Sequence, residues 1–455
     1  MIEQTFAPFF APFGWLSIML IVGVVLRAKI GFFQKYLFPA SILGGILGFI
    51  LVNVGWINIP QGAFTQFAIL FFTLNFISIG LTGADEADVR PGSTLRKTMM
   101  RGMLWMACLW SALFAIQALT SLGWISLTNM FTEPIYPGFA WLVPSGFAQG
   151  PGQAVALASV WQGPFKIPNA VSFGLTFAAV GFLVASFVGV PLANWGIKKG
   201  LTVHAPKDLP QDFITGLSEK GKGPNAGQLT THPGNVDGMA FQLAVLMVTF
   251  FITYYACVGM KMLLPGPIKA LAFGLMFLWG MIIAVIIRMI LSKLGLVAYI
   301  DNNIQRRITG VAVDFMVVAT LMAVKIAVIW AFIVPISILS VSAAVITTVF
   351  LMYFGSRLDH LGFERFMALF GTSTGTAASG LLLLRIVDPE FKTPVAQEVG
   401  MMNLFLLLLV WTSFFTFPMP QVGVAINAAI AAGMIVVALI ILKVTKLWGE
   451  PTWNK

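Results

Sequence analysis

The sequence predicts an all-α polytopic membrane protein made of two inverted-topology repeats, each with five transmembrane helices and a re-entrant hairpin, plus one extra C-terminal transmembrane helix. Three observations predict it. The 455 residues are 58% hydrophobic and 10% charged, whereas soluble domains carry about a quarter charged residues. Two stretches rich in helix breakers and small polar residues interrupt the apolar sequence: Pro144-Ser145-Gly146-Phe147-Ala148-Gln149-Gly150-Pro151-Gly152-Gln153 and Gly371-Thr372-Ser373-Thr374-Gly375-Thr376-Ala377-Ala378-Ser379-Gly380. The basic residues fall largely on one side once the helices are counted.

A span takes about 20 mainly apolar residues. On that length, helices fall near 12–27, 38–54, 64–83, 98–120 and 168–197, then near 240–258, 268–292, 308–330, 333–354 and 394–417. Between the fourth and fifth helix of each set lies a segment too broken to be an ordinary span, at 139–162 and 365–385. Hydrocarbon offers no water to a broken helix, so such backbone persists only against protein or a wet cavity. Paired breaks in corresponding positions point to a secondary transporter's midplane site. A last helix near 422–443 has no counterpart and reads as an accessory.

Five crossings per half is odd, so the second half enters the membrane from the opposite side. The organisation expected is an N-terminal repeat over 1–197, a Gly- and Pro-rich cytoplasmic linker over 198–238, a C-terminal repeat over 239–417, and an accessory helix and tail over 418–455. Lys and Arg collect in cytoplasmic loops. With the amino terminus outside and the carboxyl terminus in the cytoplasm, every basic residue except Lys166, Lys261, Lys269 and Lys325 lies on the cytoplasmic side. Trp15, Trp56, Trp124 and Trp195 fall near helix ends, where interfacial anchors belong.

The net charge of +10 is accounted for by topology rather than by nucleic acid, since no basic patch has interleaved aromatics. The amino terminus lacks the positive start of a secretory signal, so the first span is expected to stay. Cys108 and Cys257 both fall within spans and read as packing residues, and His204, His232 and His360 fall in loops. Phosphate loops, metal-spaced clusters and nucleophile elbows are absent from the sequence. An enzyme or an ATP-driven pump is therefore not expected; an ion gradient must supply the energy, and no bound cofactor is expected.

A helix that begins inside the membrane aims unsatisfied N–H groups and a positive dipole end at whatever precedes it, a place suited to an anion. In the first segment Gly150, Pro151 and Gly152 break the chain and leave Ser145, Gln149 and Gln153 as polar side chains. In the second, Ser373, Thr374 and Thr376 can cap the outgoing helix or face a cavity, with Gly375 permitting close approach. Freed carbonyls at either break suit Na⁺. Small residues can equally serve tight helix packing.

Ionisable groups inside spans are functional candidates. Asp314, about two turns into the eighth helix, can bind a cation or pair with a base such as Arg385, while Lys325, toward that helix's outer end, can snorkel outward. Asn75, Ser78 and Asn403 can line the cavity or make interhelical hydrogen bonds. Glu398 sits near a helix start and favours its dipole.

The two broken segments and the helices before them resemble the bacterial sodium:glutamate symporter family. The likeness runs over most of 12–417 and is clearest in Phe38 to Gly45, Asn75 to Gly83, Ser145 to Ala154, Met316 to Lys325 and Gly371 to Ser379. It implies two re-entrant hairpins, a homodimer in a bacterial inner membrane, and Na⁺-driven uptake of glutamate or a related small organic anion by an elevator-like motion. The family's hairpin tips carry over onto Ser145, Gly146, Gly150 and Gly152, and onto Ser373, Thr374, Gly375 and Thr376. The chain departs from the family's Gly-Gly-His-Gly run, reading Gly146-Phe147-Ala148-Gln149-Gly150, and has Asp314 where a small polar residue is usual. Proton coupling through Asp314, and a channel or sensor built on the same scaffold, are the alternatives.

Overall fold

A computed structural model describes residues 2–82, 94–204, 211–218, 227–232, 234–265, 269–389, 392–402 and 414–453. Among them the chain is helical, with no strand. Eight helices are long and apolar enough to cross a membrane: Ala7–Lys29, Gln61–Leu81, Lys97–Thr128, Ala170–Lys198, Gly238–Leu263, Met276–Lys293, Ile333–Gly355 and Val424–Val444. Each lies within an expected span or extends it.

Two expected spans come out differently, and a third is described only in part. Ala40–Asn53 has 14 residues, short of the ~20 that a perpendicular span takes. The span expected at 308–330 is a helix over Asn302–Ala323 followed by a break, with Lys325 in extended backbone (φ −94°, ψ 115°) ahead of the short helix Ile326–Ala331. Lys325 thus stands at an interruption, not near the end of a continuous helix. The polar residues Asn302, Asn303, Gln305, Arg306, Arg307 and Asp314 keep the mean hydropathy of this helix low. Of the span expected at 394–417, the helix Val395–Met402 is described, and Asn403 lies outside the described residues.

The chain forms two compact units, and they are not the two sequence halves. One comprises Met1–Val25, Ala40–Glu86 and Gly216–Ala323, the other Leu26–Pro39, Ala87–Thr215 and Val324–Lys455. Each draws on both halves.

In the first unit, small residues let helices close on one another, as membrane packing favours. A Cβ on Gly45 would come within 2.5 Å of Leu321, and one on Gly48 within 2.6 Å of Met322. Gly80 faces the Met281 carbonyl in the same way, at 2.7 Å. Asp237 starts the helix Gly238–Leu263 by accepting hydrogen bonds from the amides of Met239 (2.9 Å) and Ala240 (3.1 Å), which satisfies two of the helix's free N–H groups.

The second unit is built on the 35-residue helix Thr94–Thr128, against which the C-terminal helix Val424–Val444 packs. Its core joins Trp105, Leu109, Trp110, Phe363, Phe366, Phe370, Leu383 and Leu384. Both broken segments belong to this unit.

The stretch read as a featureless linker has a docked part. Gln211–Thr215 forms a helical turn whose Phe213 is buried. Arg27 donates to the carbonyls of Phe213 (2.7 Å) and Phe38 (3.2 Å), and the Arg385 guanidinium lies 5.0 Å from the centre of the Phe213 ring. Two adjacent apolar side chains, Phe213 and Ile214, in a five-residue turn leave no periodicity for a sequence reading to find.

Candidate functional site: two helix breaks that meet

The first broken segment runs from a 3₁₀ turn, Pro137–Trp141, through the helix Leu142–Phe147 to the helix Pro151–Gln162. The break falls at Gly150, whose φ of +84° suits a residue without Cβ. Pro151 takes the first helical position, where a missing N–H costs nothing. The Ala148 carbonyl, released by the break, accepts a hydrogen bond from Trp110 Nε1 at 2.9 Å. Ser145, Gly146 and Gly152 are buried, and a Cβ on Gly146 would meet the Gly174 carbonyl at 2.6 Å.

The second segment pairs the helices Gly362–Ser373 and Ala377–Val387 across the turn Thr374-Gly375-Thr376. The two helices touch backbone to backbone, since a Cβ on Gly371 would come within 2.5 Å of the Ser379 carbonyl. Capping was one role open to the three hydroxyl residues, and the structure corrects it. Thr376 holds the N-cap position of Ala377–Val387, yet no side chain caps that helix. Thr374 instead donates to the Phe370 carbonyl at 2.8 Å, the back-bond that a Thr hydroxyl forms readily four residues along a helix. Ser373 Oγ is fully buried and has no hydrogen-bond partner among the described residues.

These two breaks meet. A Cβ on Gly150 would lie 2.6 Å from the Gly375 carbonyl and 2.9 Å from Thr376 Cγ2. The helix Ala170–Val184 backs both: at Gly181 a Cβ would meet the Thr374 carbonyl at 2.7 Å and the Phe147 Cα at 3.4 Å. The outgoing helices Pro151–Gln162 and Ala377–Val387 therefore begin side by side, and neither N-terminus has a side-chain cap. Two uncapped N-termini together concentrate positive potential. Beside them stand hard oxygens, the Thr374 and Gly375 carbonyls.

Of the remaining candidates, Gln149 is half-buried at the first tip, and Gln153 is buried there with its own interactions. Asn75, Ser78 and Asp314 belong to the other unit. Ser78 donates to the Gln305 carbonyl (2.7 Å) and to Gln305 Oε1 (3.0 Å), and Gln305 in turn donates to Gln242 Oε1 (3.2 Å). It is interhelical bonding of the kind weighed against a cavity role. Asn75 Oδ1 is buried with no hydrogen-bond partner among the described residues. Asp314 is exposed on its helix and hydrogen-bonds with Ser41, while Arg385, the base suggested for it, stacks on Phe213. No group of three or more His, Cys, Asp or Glu is placed to hold a metal ion among the described residues.

Sequence reasoning missed the supports. Trp110 and Gly181 hold the two tips from behind, and Glu398, which stands in the first turn of Val395–Met402 as expected, is also the partner of Arg365. The recurrence of Gly174, Gly181 and Gly189 along one helix was a signal for the first of these.

A family model described as sodium/glutamate symporter matches residues 12–358. No curated protein and no solved structure matches the chain. The match takes in the whole first broken segment and stops before Gly362, where the second begins, so the second is tied to the first by its packing. With most of its length matched, the chain belongs to the sodium/glutamate symporter family.

Proposed function

We propose that the protein is a symporter that carries glutamate or a closely related small organic anion with Na⁺, bound where the two helix breaks meet. Family membership supports Na⁺-coupled transport across a membrane. The single observation that carries the site is the juxtaposition of two uncapped helix N-termini at Gly150 and Thr376. Substrate carboxylates would take N–H groups from the first turns of Pro151–Gln162 and Ala377–Val387, as anions do at such ends, with Gln149 and Gln153 fixing orientation. Na⁺ would be held by oxygen, from Ser373 Oγ and the neighbouring carbonyls, and Thr374 would keep the second tip in shape.

In this reading the breaks are the tips of re-entrant hairpins in an inverted repeat, with the amino terminus outside and the basic loops in the cytoplasm of a bacterial cell. Both tips reside in one compact unit, so that unit would carry the substrate as a body in an elevator-like cycle. A homodimer, as the resemblance implies, would give the other unit its fixed partner.

Uptake into proteoliposomes of a panel of amino acids and dicarboxylates, under a Na⁺ gradient and then an H⁺ gradient, tests the proposal. Saturable, Na⁺-driven uptake of an acidic amino acid is expected. Uptake indifferent to Na⁺, or passive flux without competition between substrates, would exclude it.

A further inference from the structure

Away from the tips, in the same unit, the short helix Gly31–Lys35 and the helix Val190–Lys198 border a cavity of about 280 Å³ whose lining includes Gln34, Lys35, Leu37, Asn194, Ile214 and Ile386. One part of the lining is polar. Lys35 is exposed with its ammonium 5.7 Å from the centre of the Tyr36 ring, and Asn194 adds an exposed amide. The remaining walls are apolar, with Leu37 and Ile386 buried.

Seven residues before Asn194, about 10 Å back along the helix, Phe187 meets Phe32, Tyr36 and Phe38 at ring-centre distances of 6.3, 5.4 and 5.1 Å. Phe187 and Phe32 nevertheless keep 44% and 52% of their surface exposed. The Tyr36 ring thus adjoins both the Lys35 ammonium, at 5.7 Å, and the exposed Phe187 ring, at 5.4 Å, so cation and aromatic surface lie next to each other, with the Asn194 amide about two turns along the helix.

The nearby charge is mainly basic. Lys29 precedes the first bordering helix, and Lys198 and Lys199 end the second, while Arg27 is already committed to the Phe38 and Phe213 carbonyls. The acid on the docked turn, Asp212, accepts from the Phe213 amide. Basic recesses beside membrane helices suit anionic lipid headgroups.

We infer that this cavity binds the phosphate of an anionic phospholipid, with an acyl chain laid along Phe187 and Phe32. Ile214 belongs to the docked turn and Ile386 to the end of the second broken segment. A lipid seated here therefore touches the linker turn and the base of that segment together, at a place separate from the tips.

Native mass spectrometry of the full-length protein, released from neutral detergent containing equal phosphatidylglycerol and phosphatidylcholine, tests the inference. Preferential retention of phosphatidylglycerol is expected, about fivefold weaker in Lys35→Gln and preserved in Lys35→Arg. Phe187→Ala should also weaken retention. Equal retention of the two lipids, or full retention by Lys35→Gln, would overturn it. So would displacement of the lipid by equimolar glycerophosphoglycerol, which would mark a site for free anions. Lys35 is exposed, so its replacement leaves the fold intact; Asn194→Leu, equally exposed, is the second variant.

Discussion

Arg365 holds Glu398 through both carboxylate oxygens, with Nε 2.8 Å from Oε2 and an NH2 group 2.6 Å from Oε1, and both side chains are buried. Two of the other guanidinium N–H groups go to the carbonyls of His360 (2.7 Å) and Thr98 (3.1 Å). A Cβ on Gly102 would fall on the carboxylate. The pair thus ties the helix that enters the second break to Thr94–Thr128 and Val395–Met402.

Breaking that pair should unfold the unit before it changes the site. Removing one partner of a buried ion pair costs about 3–5 kcal/mol, because the other charge stays buried without compensation. Glu398→Ala should lower the thermal midpoint of the solubilised protein sharply, and Arg365→Met with Glu398→Leu should recover most of the loss. An unchanged midpoint in Glu398→Ala would show that the pair is not needed for stability.

Ser373→Ala separates binding from folding. The hydroxyl is buried without a partner among the described residues, so its removal takes away an unmet polar group and should leave the melting midpoint unchanged or slightly raised. If the oxygen ligates Na⁺, its loss should weaken Na⁺ activation of uptake by about ten- to a hundredfold, from ~1.5–3 kcal/mol for a bond to a charged group. Wild-type Na⁺ dependence would remove Ser373 from the site.

Gly150→Ala should abolish uptake. Its backbone has positive φ, and the new Cβ would press on the Gly375 carbonyl at 2.6 Å. Gly14→Ala meets nothing within 4 Å and should transport as the parent does. Equal uptake by the two variants would show that contact between the breaks is dispensable.

Gln149→Ala and Thr374→Ala should both raise the substrate Kd, at unchanged expression, in isothermal titration. The Gln149 effect should be the larger, because the Thr374 hydroxyl is engaged with the Phe370 carbonyl and acts on tip shape alone. Parent-like affinity in both would remove the assignment.

Asp314→Asn should keep full Na⁺-driven uptake. The carboxylate's hydrogen-bonding neighbour is Ser41, in its own unit. A variant that lost uptake driven by an imposed H⁺ gradient, while the parent showed it, would transfer coupling to this side chain.

Both helix breaks were legible in the residues because their causes are local: Gly150 and Pro151, or Gly371, Gly375 and Gly380, alter backbone preference wherever they stand. Most spans were legible for a similar reason, since apolar length is a property of the segment itself. The breaks also marked themselves as a candidate site, because backbone that cannot satisfy its own hydrogen bonds in lipid must find partners in protein or water.

What escaped the sequence was pairing. Arg365 and Glu398, 33 residues apart, look like two unrelated charges until the fold brings their helices together. Ser78 finds Gln305 across 227 positions, and Phe213 finds Arg385 across a gap longer than any helix.

By itself the sequence determined that this chain lies in a membrane, where most of its helices are, and where the two Gly-rich segments break, since each of those follows from the chemistry of neighbouring residues. Only the tertiary structure decided that both breaks share one unit, that Gly150 rests on the Gly375 carbonyl, and which charges neutralise each other. Those are contacts between distant segments, and in a tightly packed bundle they depend on which small residues allow two backbones to approach.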